Sequence, residues 1–437
     1  MSESPPPPKR GCLFSVGPAI IVAAVVLGPG SILSSSKVGA QEGYSMLWVL
    51  ALAGILMAAT VALGGRLGLA LERSPCGELA ARLGRPVAAA LGIIVFLIVA
   101  CFQASNNLAV LAALEGLVEI DAATGERGPW PAVVLVSLNA LLLVVLFGLR
   151  GLYRPVEKAM MVFVLVMVLG FLANLVVVRP SLVEALRGLV PALPEGGTFF
   201  ATKVGEVIVD RWWAIGALFA TTFSVVGAFY QGYLVREKGW TVGDLRRGLV
   251  DAVVGIAVLA GLTATIMMTA ASAFYGKVDA DGLKSATDVA AQLEPTFGAT
   301  AKVLFSMGIL AGALSSFLVN AMVGGHILAD GLGYGGSLSS RSTRVCTAAA
   351  LLFAMGFALW ASVGGGDLVT LILIAQGMTL LGIPALAVAM LYLVVQARRN
   401  RHVPVPAWML ATAAITLVIS MLLAVRTGAS LLLRLQG

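Results

Sequence analysis

Apolar runs of about 20 residues or more, separated by short polar segments, fill the chain from residue 15 to residue 426, and that length predicts membrane-crossing helices. Eleven spans follow: 15–36, 45–70, 87–117, 131–149, 157–178, 212–235, 249–274, 297–328, 345–363, 367–396 and 406–426. The first is interrupted. Val16 to Leu27 reads as helix, meets Gly28-Pro29-Gly30-Ser31, and resumes as Ile32-Leu33-Ser34-Ser35-Ser36. Pro29 removes a backbone donor and clashes with the preceding turn, and the glycines weaken the helix on both sides. Open backbone groups at this depth survive only beside a cavity or packed protein, and interrupted midplane helices mark the substrate sites of secondary transporters. A plain proline kink is the competing reading.

Five spans precede residue 212 and five lie between 212 and 396. An odd number per half inserts the halves with opposite orientation, as in an inverted repeat. The sixth span then mirrors the first and is expected to break. It carries Thr221, Thr222, Ser224, Gly227 and Gln231 without a proline, so Gly227 is the predicted weak point. The expected divisions are a tail at 1–14, a first repeat at 15–178, a loop at 179–211, an inverted second repeat at 212–396, and an eleventh span with the C-terminus at 397–437.

Composition agrees: 59% hydrophobic and 12% charged, against about 25% charged in soluble domains, makes the chain an all-α polytopic membrane protein. The net charge of +7 is dispersed, which argues against nucleic acid and suits loops facing anionic lipid. Lysine and arginine collect in alternate segments (Lys9 and Arg10, Arg73 to Arg85, Arg150 to Lys158, Arg236 to Arg247, Arg341 and Arg344, Arg398 to Arg401). That bias predicts an integral protein of the cell (inner) membrane, N-terminus cytoplasmic and C-terminus extracytoplasmic. Cys12, Cys76, Cys101 and Cys346 have no pairing or metal-ligand spacing.

The stretch from Gly17-Pro18-Ala19 through Pro29-Gly30 to Gly43-Tyr44 and Leu47-Trp48-Val49-Leu50 resembles the first span and following loop of the Nramp (SLC11) divalent-metal transporters. The span count and the Gln376–Pro384 pairing in the tenth span agree with it. The resemblance implies a LeuT-like fold, a 5+5 inverted repeat plus an eleventh helix, with the substrate between the broken first and sixth spans. The departures are specific. The family's Asp-Pro-Gly-Asn is Gly28-Pro29-Gly30-Ser31 here, its Met-Pro-His falls on Ser224-Val225-Val226, its second histidine on Gln231 and a further aspartate on Ser35. Where the third span carries acidic proton-pathway residues in the family, this chain reads Gln103-Ala104-Ser105-Asn106-Asn107.

A dehydrated divalent ion needs oxygen ligands, usually with a carboxylate among them. The substrate site expected here has only neutral groups: Gly28, Ser31, Asn106, Asn107, Thr221, Ser224, Gly227 and Gln376. Ser31, Thr221, Ser224 and Gln376 are its candidate metal contacts. Such a site suits Mg²⁺ held through its water shell, or a neutral polar solute, better than bare Mn²⁺ or Fe²⁺. Lys37, about 13 Å along a helix from Gly28, is expected near the outer mouth, as an interfacial lysine paired with Glu42 or as a fixed charge in the access path. Asn106 and Asn107 with Gln103 serve either interhelical hydrogen bonding or substrate contact. Asn139 and Asn174 read as structural glue, and Asn320 and His326 as residues of an inner vestibule.

His326 and His402 have no ligand partners at helical spacing, and no serine–lysine or paired-aspartate constellation lies within a span, which argues against an enzyme. No cofactor is implied. The expectation is an Nramp-like carrier moving a small ion by alternating access, a divalent cation such as Mg²⁺ without proton coupling, with that substrate and membrane lipid as its partners. A carrier of a neutral or anionic organic solute, or a relative that no longer transports, are the alternatives.

Overall fold

The structure, a computed structural model, describes residues 28–115, 129–148, 165–194, 198–205, 207–363, 367–399 and 403–436. The predicted tail, the first half of span one, the start of span five, Cys12 and His402 lie outside the described residues. The chain is almost wholly helical. Helix α1 is Pro29–Glu42, α2 Leu47–Ala70, α3 Pro75–Leu83, α4 Arg85–Glu115 and α5 Trp130–Phe147. Helix α6 is Leu165–Val178. A small antiparallel hairpin, β1 Thr202–Val204 and β2 Val207–Val209, precedes α7 Trp212–Thr222 and α8 Val225–Glu237. Then come α9 Leu245–Phe274, α10 Ala301–Leu332, α11 Arg341–Val363, α12 Leu368–Met378, α13 Ile383–Arg399 and α14 Ala407–Gln436.

Nine helical segments among the described residues are long and apolar enough to cross a membrane, counting α7–α8 and α12–α13 as one each. They match the predicted spans two to four and six to eleven. Their outer faces carry bare apolar side chains such as Ile55, Val133 and Trp360, as a surface solvated by lipid requires.

Close helix contacts fix the inner elements. A methyl on Gly64 of α2 would stand 1.9 Å from Ala228 O, and one on Gly68 2.5 Å from Gly232 O, so only glycine lets α2 and α8 touch backbone to backbone. Every residue of α8 from Val225 to Val235 is buried. This half of the sixth span is held inside protein and not against lipid.

Two expectations are corrected. The sixth span does not break at Gly227. It leaves helical geometry at Phe223 (φ −102°, ψ 81°) and Ser224 (φ −88°, ψ 94°). The Ser224 hydroxyl accepts the Gly227 N–H at 3.1 Å, so serine caps the new helix and Gly227 sits in its first turn. The eleventh span does not stop at Arg426. Helix α14 runs to Gln436, and Arg426 turns inward to a buried pair with Asp210.

Candidate functional site

Helix α1 begins at the first break. Gly28 is extended (φ −108°, ψ 174°) and offers no side-chain cap, and Pro29 occupies the first helical turn. The Ser31 N–H returns to Gly28 O at 3.0 Å. At the sixth-span break, α7 ends at Thr222 with the Phe223 N–H on Phe219 O at 2.7 Å, leaving its last carbonyls without helical partners. Among the described residues the two breaks present helix N-termini at Gly28 and Ser224 and a C-terminus at Thr222.

Around Gly28–Gly30 three other helices converge. A Cβ on Gly30 would meet Gln376 Nε2 at 2.3 Å, so the α12 amide lies directly on the α1 backbone. Gln376 Nε2 donates to Ser105 Oγ of α4 at 2.7 Å. A Cβ on Gly28 would lie 3.7 Å from Ser316 Oγ of α10 and 3.8 Å from Asn106 Oδ1 of α4. Gln376 Oε1 and Ser316 Oγ are buried without hydrogen-bond partners. Buried unpaired acceptors are costly and mark a place where another polar group belongs.

The predicted residues divide accordingly. Gly28, Asn106 and Gln376 come together. Asn107 does not: its amide donates to Gln103 O and accepts from Asn139 Nδ2, both at 2.8 Å, which makes it an interhelical tie. Thr221 Oγ1 is spent on Leu218 O at 2.9 Å and Ser224 Oγ on its cap, so their hydroxyls serve the two helix ends at this break. Ser31 is buried in the first turn of α1, and its carbonyl accepts from Ser35 at 2.6 Å. Asn174 ties α6 to Gln292 O at 2.8 Å. Ser105 and Ser316 escaped the sequence reading because serine within a span is ordinary. Ser105 beside Asn106 and the Ser315-Ser316 pair were the available signals.

Lys37 is not at a lipid interface. It is buried in α1, where its ammonium donates to Ala280 O and stands 3.6 Å from Asp281. Glu42 pairs instead with Arg211 at 3.3 Å. Lys37 lines a cavity of about 560 Å³ together with Asp210, Trp213, Asp279 and Leu373. Leu373 is one helical turn from Gln376, and Trp213 packs on Gly377, 2.9 Å from where its Cβ would be. Among the described residues no group of three or more His, Cys, Asp or Glu is placed to hold a metal ion.

Replacing Ser224 by alanine removes the cap of α8 and should cost about 1 kcal/mol, read as a lower thermal midpoint in detergent. Aspartate, which also caps, should restore it.

The comparisons with known proteins agree with this architecture. The family model described as Nramp, natural resistance-associated macrophage protein-like, matches residues 19–430. The divalent metal cation transporter MntH of Deinococcus radiodurans is 29% identical over 332 residues, 74% of this chain and 71% of that protein. MntH of Mycobacterium tuberculosis is 27% identical over 322 residues, 72% and 70%. The crystal structure of the Eremococcus coleocola manganese transporter in complex with an aromatic bis-isothiourea substituted compound superposes with a TM-score of 0.71 at 16% identity, over 94% of this chain and 85% of that one. A match that runs from residue 19 to residue 430 makes this chain a member of the Nramp family, on a LeuT-type scaffold that holds glycine at position 28 and serine at position 31.

Proposed function

We propose that this protein moves a small divalent cation across the membrane by alternating access, and that it takes the ion with water still bound. The observation that carries this is the pair of unpaired buried oxygens, Gln376 Oε1 and Ser316 Oγ, beside the uncapped start of α1. Family membership and relatives named divalent metal cation transporters support the cation. With glycine at position 28 and amides and hydroxyls around it, the site has no carboxylate to repay dehydration. Mg²⁺, which dehydrates reluctantly and keeps several waters, fits such a site better than Mn²⁺. The groups named around it do not titrate, so the transport step itself needs no proton. With the N-terminus cytoplasmic, as the lysine and arginine bias supports, the Lys37 cavity is the access path from outside.

A second reading rests on its own observation. The N-terminus of α1 lacks an anionic cap, so its field favours an anionic organic solute.

Proteoliposomes loaded with a Mg²⁺ dye and a pH dye separate these readings. Added Mg²⁺ should enter with no change of internal pH. Faster Mn²⁺ uptake overturns the choice of ion, and accompanying proton flux overturns uncoupled movement. Silence to both metals together with uptake of a radiolabelled carboxylate establishes the second reading.

A further inference from the structure

A second polar cluster lies away from the breaks, where α8 packs on α10. His326 of α10 is 1% exposed and its ring stands between two tyrosines of α8. Tyr230 OH is 3.2 Å from His326 Nδ1, and the ring centroids of Tyr230 and Tyr233 lie 5.6 and 5.0 Å from the imidazole, both edge-on. One turn further, Asp330 accepts from Tyr233 OH at 2.8 Å, and that same hydroxyl accepts the Cys76 N–H of α3 at 3.1 Å. His326 Nε2 is buried with no hydrogen-bond partner.

The sequence reading places His326 beside an inner vestibule. The structure seals it, and the seal is α8 itself. Helix α8 is the second half of the broken sixth span, and carriers built on inverted repeats open by rocking or gating one repeat or bundle against the other around such breaks. The Gly336 backbone also reaches the ring, and the charged and titratable groups around it among the described residues lie on four helices. They are Asp330 on its own helix and Tyr230, Tyr233 and the more distant Glu237 on α8. From α3 comes Cys76, and from α4 comes Arg85, whose guanidinium donates to Asp330 O at 3.1 Å and so sets a positive charge near that carboxylate. From α11, beside Gly325, comes Thr347, which does not titrate.

We propose that His326, held between Tyr230 and Tyr233 and backed by Asp330, is a proton-binding site that controls the separation of α8 from α10. The covered ring has one nitrogen bonded to Tyr230 and one bare, so it is under-satisfied in either state, and the cost is greater when the bare group carries charge. Imidazolium has two donors, and burying it beside an unmet one is costly while α8 stays in place. Separation admits water to both nitrogens. A proton therefore binds the open arrangement in preference to the closed one, and acidification shifts the population toward opening. Arg85 donates to the Asp330 carbonyl and not to its carboxylate, so Asp330 partly offsets a proton on the ring, and what is left uncompensated in the closed arrangement is the buried charge at the bare Nε2. The site controls opening and takes no part in substrate stoichiometry, so it stands whether or not the proposed cation is transported.

Hydrogen–deuterium exchange of the full chain in lipid nanodiscs tests this without any substrate. After correction for the chemical effect of pH on exchange, residues 229–237 should lose about tenfold in protection between roughly pH 7.5 and 5.5, as histidine titrates. His326→Gln should flatten that dependence. Tyr230→Phe, which keeps the ring packing and removes only the hydroxyl at Nδ1, should move the midpoint and so serves as the readout if the first variant does not fold. Protection that is unchanged with pH in the native protein, or an acid response intact in His326→Gln and unmoved in Tyr230→Phe, overturns the proposal.

Discussion

Arg426→Ala should destabilise the protein by about 3–5 kcal/mol, the usual cost of stranding one partner of a buried ion pair, measured by thermal unfolding in detergent. The Arg426 and Asp210 side chains are each 2% exposed, and the guanidinium meets the carboxylate directly. Its Nε also donates to Phe199 O at 3.3 Å, and Ser430 Oγ donates to the other oxygen of Asp210. The pair clamps α14 to the start of α7, the helix that ends at the second break. Asp210→Asn should cost a similar amount. The double variant Arg426→Met, Asp210→Leu should recover much of the loss, because no buried charge is then left alone. Equal, additive losses would mean that the two groups act separately.

Gly28→Asp should raise Mn²⁺ affinity at least tenfold, about 1.4 kcal/mol or more, in calorimetric titration. Among the described residues a Cβ at position 28 meets Ser316 Oγ and Asn106 Oδ1, at 3.7 and 3.8 Å, which is ordinary contact. Its carboxylate would cap α1, which now lacks a side-chain cap, and add the anionic oxygen that a dehydrated ion requires. Gly28→Asn, nearly isosteric and uncharged, should cap the helix and raise stability without the gain in affinity. An aspartate variant no better than wild type would place the substrate away from this break.

Much of the architecture was legible along the chain because lipid imposes it. A run such as Leu47–Ala70 must be helix, since its backbone groups find no other partner in hydrocarbon, and a helix starts at Pro29 with Gly28 extended before it. The second break was legible in kind and misplaced by three residues. The prediction followed the glycine, whereas the chain used Ser224 as a cap, which a propensity argument for weak helix undervalues. The eleventh span was drawn to residue 426 by apolar length, and the helix runs on to Gln436. Only the partner of Arg426, Asp210, 216 positions earlier, permits that arginine inside.

Of the site, residue chemistry along the chain picked out the neutral groups, Gly28, Asn106 and Gln376 among them, because polar side chains inside spans are few and conspicuous. What each of those groups does was decided by neighbours remote in sequence. Asn106 and Asn107 are adjacent and similar, yet one faces Gly28 and the other is consumed by Asn139. Ser105 and Ser316 gain meaning only where α4 and α10 cross the start of α1, and His326 only where α8 covers it. The sequence alone determined the helices, the helix start at Pro29 and the scarcity of charge within the spans, because these follow from local length, proline geometry and residue type. The assignment of each polar group to a tie, a cap or an open site was left to tertiary packing, because a hydrogen bond once made within the fold removes that atom from any ligand.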